Sequence, residues 1–97
     1  MSKEIFTEIY NTYGFGGDES RSGPGSEKIH TRSLIAPLQS ILSSPSINSV
    51  TDFPCGDLNW IEELFPYIQK YTGCDIVDAC IDDNRAKYPN HDFYCLD

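Results

Sequence analysis

The chain has 97 residues, enough for about one small domain and short of the five or more strands of a complete doubly wound nucleotide-binding enzyme. Its 15 acidic residues outnumber 7 basic ones, and the formal charge of −8 repels phosphate backbones and anionic membranes, which argues against direct nucleic-acid binding by this piece. No stretch approaches the roughly 20 apolar residues of a membrane span, and Met1-Ser2-Lys3-Glu4 leads into an amphipathic pattern instead of a signal peptide, so a cytoplasmic protein is expected.

In chain order, Ile5, Phe6, Ile9, Tyr10 and Tyr13 recur at helical spacing and predict a helix over Glu4 to Tyr13, stopped by Gly14. From Gly14 to Ser26 the chain carries five of its seven glycines with serines between, a loop rich in free backbone donors. That loop reads either as a connector or as a lid in which Ser20, Ser22, Gly23 and Ser26 close over a ligand. Helical spacing returns through Leu34, Ile35, Leu38, Ile41 and Leu42, which predicts a helix over Thr31 to Leu42 with Thr31 or Ser33 as cap and Pro37 tolerable only in the first turn.

Residues 1–46 thus form an N-terminal pair of helices, and residues 47–97 read as strand, helix, strand, helix, strand. The predicted elements are a strand over Ile47 to Phe53, a helix from Leu58 to Phe65 interrupted by Pro66, and a strand over Tyr71 to Ile76. A helix over Val77 to Tyr88 and a strand over His91 to Leu96 follow. The fold class is α/β, a Rossmann-like half-sheet of three parallel strands in order 3-2-1 preceded by two helices. The four cysteines form no CxxC pair and read as packed, reduced thiols, and His30 and His91 lack partners at ligand spacing, so no metal site is expected. Trp60 reads as a core anchor, and Asp82-Asp83 as a solvated helix face.

In a doubly wound sheet, ligands lie outside the carboxyl ends of the strands, and here each predicted strand end carries acids: Asp52 with Asp57, then Asp75, then Asp97. Asp75 follows Gly56 by about 20 residues, the offset at which such folds present an acid to a ribose. A nucleotide-like cofactor is the functional reading. The plainer alternatives are helix capping by Asp52, Asp57 or Asp75, each cap worth about 1 kcal/mol, and an unstructured terminus at Asp97.

The run from Gly16 to Ser26, the following Thr31, the segment Asp52-Phe53-Pro54-Cys55-Gly56-Asp57-Leu58-Asn59-Trp60 and the later Gly73-Cys74-Asp75-Ile76-Val77 together resemble the N-terminal half of class I S-adenosylmethionine-dependent methyltransferases. The resemblance covers nearly the whole chain. It implies S-adenosylmethionine as cofactor, with Asp52 facing the methionine ammonium and Cys55, Gly56 and Asp57 forming the turn along it. Gly56 lets the backbone approach because a side chain there would occupy cofactor space. It further implies that Asp75 accepts from the ribose hydroxyls, Ile76 packs on the adenine and Asp97 meets its amino group. Pro54 stands where the family's motif has a glycine, and Ile35 where it tends to place an arginine four residues after Thr31.

Methyl transfer is an in-line displacement that depends mainly on positioning, and no residue here is assigned as a catalytic base. The acceptor is not identified. Strands beyond the third are absent from the chain, which reads as the cofactor half alone, of weak stability, with the edge of its first strand open to a second copy or a completing chain. The alternative function is a non-catalytic half-domain that docks onto a partner. A nicotinamide-dependent dehydrogenase lacks its GxGxxG turn, since Pro54 to Trp60 offers Gly56 alone.

Overall fold

A computed structural model describes residues 3–12 and 27–96. Two α-helices come first, α1 (Lys3–Thr12) and α2 (Lys28–Leu42). Strand β1 (Val50–Asp52), a 3₁₀ helix (Ile61–Tyr67), strand β2 (Tyr71–Asp75), helix α3 (Asp78–Lys87) and strand β3 (Asp92–Cys95) follow. The three strands form one parallel sheet with β2 in the middle. The expected mixed α/β class with an open three-stranded parallel sheet is therefore present, with four helical segments among the described residues.

The core forms because alternation sends one set of strand residues to one face. Register aligns Val50 with Tyr71, Asp52 with Gly73, Gly73 with Phe93 and Asp75 with Cys95. On that face Tyr71 and Phe93 pack with Ile81 of α3, with Ile61 and Leu64 of the 3₁₀ helix, and with Leu58 and Cys55 of the loop after β1. Ile35, Leu38 and Leu42 bring the apolar stripe of α2 onto the same cluster. Gly73 is required by this packing, because a Cβ there would lie 2.7 Å from Phe93 Cδ1 and 3.2 Å from Cys55 Sγ. Arg85 fastens α3 to β3 by donating to the Phe93 carbonyl from Nε at 3.2 Å and Nη2 at 2.6 Å.

Helix α1 builds a second, smaller cluster. Its Tyr10 is buried with Val77 and Cys80 at the start of α3, and Phe6, Ile76 and Ala79 pack around them. Two polar contacts hold the same join. Tyr10 donates to Asp83 at 2.9 Å, and Lys3 pairs with Asp78 at 2.8 Å. Asp82 and Asp83 are both exposed, as expected of a solvated face, and Asp83 also accepts this bond from Tyr10.

Several boundaries differ from the sequence reading. Helix α2 begins at Lys28, so Thr31 is buried inside it, bonding back to the Glu27 carbonyl at 3.3 Å, and Pro37 lies beyond the first turn. Neither Thr31 nor Ser33 caps it. The first strand shrinks to three residues. The stretch predicted as a helix over Leu58 to Phe65 becomes a 3₁₀ helix running through Pro66, because Leu58 sits at φ 61 and breaks any helical entry. His91 stacks on Phe65, with ring centroids 4.4 Å apart, at the opposite end of the sheet from the strand-end acids. The proposed lid residues Ser20, Ser22, Gly23 and Ser26, together with Asp97, lie outside the described residues. No helix among the described residues is long and apolar enough to cross a membrane.

Candidate functional site

Strand β1 ends at Asp52, and the chain then turns through Phe53-Pro54, whose peptide is cis, into the segment Cys55 to Trp60. Pairing with β2 resumes beyond the turn, since Cys55 N–H donates to the Cys74 carbonyl at 2.8 Å. This return places Gly56 directly over the end of β2. Its backbone is left-handed, at φ 57, where a residue with a Cβ is strained.

Gly56 is held from both sides of its residue. Its N–H donates to Asp75 Oδ2 at 3.0 Å. Its carbonyl accepts from Asn84 Nδ2 at 2.7 Å and from the Cys80 thiol at 3.0 Å. Asp75 is 8% exposed and takes a second backbone amide, Val77 N–H at 3.2 Å, on Oδ1. Its carboxylate thus ties the end of β2, the start of α3 and the glycine loop together.

Asp52 is partly buried one strand away and accepts from the Tyr71 hydroxyl at 2.8 Å. Burial raises its pKa above the usual carboxylate value, the Tyr71 hydrogen bond partly offsets this, and the negative charge of Asp75 adds to it. The Tyr71 hydroxyl is in turn pushed up by burial and by Asp52. Two carboxylates at adjacent strand ends therefore feel one another, and the structure joins Gly56 to Asp75 by a hydrogen bond, with Asp52 within electrostatic reach of Asp75.

Of the other sequence candidates, Cys55 borders this constellation, its thiol 3.5 Å from the Gly56 carbonyl, and the rest are turned to other partners. Asp57 accepts from Asn59 N–H at 3.2 Å, a local turn contact, and its charge adds to the raising of Tyr88, whose hydroxyl donates to Glu62 at 2.6 Å. Cys55 is buried against the core, its thiol pushed up first by the neighbouring Cys80 thiol and then by burial. Ile76 packs against the cluster formed by Tyr10, Val77 and Cys80. Trp60 is partly buried against the main core, as the sequence implied.

The sequence reading gave Asn84 and Tyr71 no part in the site and Cys80 only that of a packed thiol, although all three touch this constellation. A signal existed for two of them. Cys80, Ile81 and Asn84 fall at i, i+1 and i+4, so an apolar face that buries Cys80 and Ile81 also buries Asn84, and a buried amide needs a polar partner. Comparison with family models, curated proteins and solved structures returned no match.

Proposed function

We propose that this chain is the cofactor-binding part of a class I S-adenosylmethionine-dependent methyltransferase, cytoplasmic, with its half-sheet in the Rossmann-like order 3-2-1. The observation that carries this reading is Gly56, left-handed and without a side chain, bonded through its N–H to Asp75 at the carboxyl end of β2, with Asp52 at the end of the neighbouring parallel strand close enough to feel the Asp75 charge. Paired carboxylates beside an open glycine backbone suit a ligand that is cationic at one end and carries hydroxyls at the other.

The residues fit the group in chemical kind. Each oxygen of Asp75 is engaged by one backbone N–H and keeps a second lone pair, enough to accept from a ribose hydroxyl. Asp52 presents negative charge to the ammonium and sulfonium end, and Gly56 lets the backbone approach. When bound, S-adenosylmethionine supplies an electrophilic methyl group. The chain's own part is to bind and orient that donor, with no proton transfer assigned to any of its side chains.

Isothermal titration of the whole chain tests this. S-adenosylmethionine should bind, and Asp75→Ala should abolish the binding. Binding of NADH in its place, or no binding of S-adenosylmethionine up to about 1 mM, a threshold near −4 kcal/mol, would sink the proposal. The second reading, a non-catalytic half-domain that docks onto a partner, draws on β1, which among the described residues pairs with β2 alone and offers its other edge.

A further inference from the structure

We infer that Asn84, on the buried face of α3, is a positioning residue that fixes the orientation of Gly56 and thereby sets the affinity of the cofactor site. The inference rests on the proposed reading for the identity of the ligand, and on geometry alone for the role of the side chain.

Gly56 has no side chain and sits in the left-handed region, so local sterics hold its peptide groups less firmly than those of any other residue. Two side chains supply what sterics do not. Asp75 takes the N–H, and Asn84 takes the carbonyl at 2.7 Å, drawing it into the protein beside the Cys55 and Cys80 sulfurs. With the carbonyl turned inward and the amide turned to Asp75, the remaining side of Gly56 is the one left for a ligand.

Asn84 is only 2% exposed, and its amide reaches three groups of the loop and helix: the Gly56 carbonyl, Cys55 Sγ at 3.8 Å and Cys80 Sγ at 3.6 Å. The two sulfur contacts are long and weak, so the carbonyl is the principal partner. Without Asn84 that carbonyl keeps as donors the thiols of Cys80 at 3.0 Å and Cys55 at 3.5 Å, and thiols donate weakly. A half-buried carbonyl in that state gains by turning toward water. Turning it rotates the peptide and carries the loop away from the geometry in which Asp75 receives Gly56 N–H.

The choice of residue matters as well. Asn84 follows Asp82 and Asp83, and an aspartate at the third place would set a carboxylate against the Gly56 carbonyl. The amide donates to the carbonyl without adding charge to the site.

The test uses the full chain in wild-type and Asn84→Leu forms, with Ile81→Ala as control. Ile81 is equally buried on α3 but donates no hydrogen bond to Gly56, so its truncation loosens the core around the loop without removing a polar partner of Gly56. Two readouts are taken: the affinity for S-adenosylmethionine by titration calorimetry, and the exchange protection of the Gly56 amide by nitrogen-15 NMR.

Asn84→Leu should weaken binding by about ten-fold or more and strip the protection of Gly56 N–H, whereas Ile81→Ala should lower the melting temperature with less than about three-fold change in affinity. Should Asn84→Leu fail to fold, Asn84→Ser, whose hydroxyl is too short to span to the loop, carries the same readouts. Unchanged Gly56 protection in the Asn84 variant overturns the inference, as does an affinity loss no larger than that of the Ile81 control. If wild type binds no S-adenosylmethionine yet the variant strips Gly56 protection, the positioning role stands and the cofactor reading falls.

Discussion

Asp52 shows how one side chain can weaken the fold that presents it. Its pKa is raised above the ordinary carboxylate value chiefly because burial disfavours the charged form. The folded state therefore holds the proton more tightly than the unfolded state does. The stability this contributes is full below the unfolded value and is lost as pH rises through the folded one, so at neutral pH the ionised group is a net cost. Asp52→Asn keeps an acceptor for the Tyr71 hydroxyl and removes the charge. It should raise the melting temperature near pH 7, with the difference shrinking toward about pH 4 as the wild-type carboxyl is protonated. Under the proposed function the same variant loses affinity for the cationic cofactor. Thermal melts across that pH range check the first expectation and calorimetry the second, and a variant less stable than wild type at pH 7 would contradict the role given to burial.

At the scale of elements, α1 is fixed to the rest by few contacts, directed at α3 and the residues just before it, with Lys3 also reaching Cys95 of β3. Tyr10 supplies both the buried ring and a hydrogen bond to Asp83, and Lys3 supplies charge to Asp78. The Asp78 carboxyl is held below its usual range by hydrogen bonding with Cys95 and with Lys3, and Lys3 is raised in turn by Asp78. Both groups face water, so the pair adds little on its own. The Tyr10 hydroxyl is the stronger link. Tyr10→Phe should release α1 locally, by about 1 kcal/mol, seen as about five-fold faster amide exchange over residues 3–12 with β2 unaffected. Equal acceleration in β2 would mean that α1 and the sheet open as one unit. Because Ile76 packs into the same cluster, the position of α1 also bears on the surface beside the candidate site.

For the molecule as a whole, the excess of 15 acids over 7 bases governs the response to salt. Ion pairs such as Lys3 with Asp78, or Arg85 with Asp82 at 3.8 Å, are exposed and lose strength when screened. Repulsion among the surplus acids is screened as well, and with a formal charge of −8 it is the larger effect. Raising sodium chloride from about 10 mM to about 150 mM should therefore raise the melting temperature, where a protein governed by its surface pairs would show a fall.

Period and punctuation in the sequence were enough to locate most elements, because apolar residues at spacings of three and four, or in short runs closed by Gly, Pro and Asp, leave few alternatives within about 90 residues. They predicted three parallel strands with helices between, and strand-end position singled out Asp52 with Asp57, Asp75 and Asp97 as candidate ligand contacts. What they could not reach was direction. Whether Asp57 turns toward Asp75 or into its own turn, and whether Ile76 meets a ligand or α1, depends on where Leu58 and Phe6 find space. Those positions are decided by packing between segments far apart in the chain. The helical entry at Leu58 was lost for the same reason, since its left-handed backbone follows from burying that side chain in the core at 1% exposure. The grip on Gly56 by Asn84, 28 residues later, exists only once α3 lies across the sheet. Local sequence thus determined which elements form and what chemistry their ends carry. The tertiary fold alone decided which of those groups face one another, because hydrogen bonds and burial act between surfaces that only folding brings together.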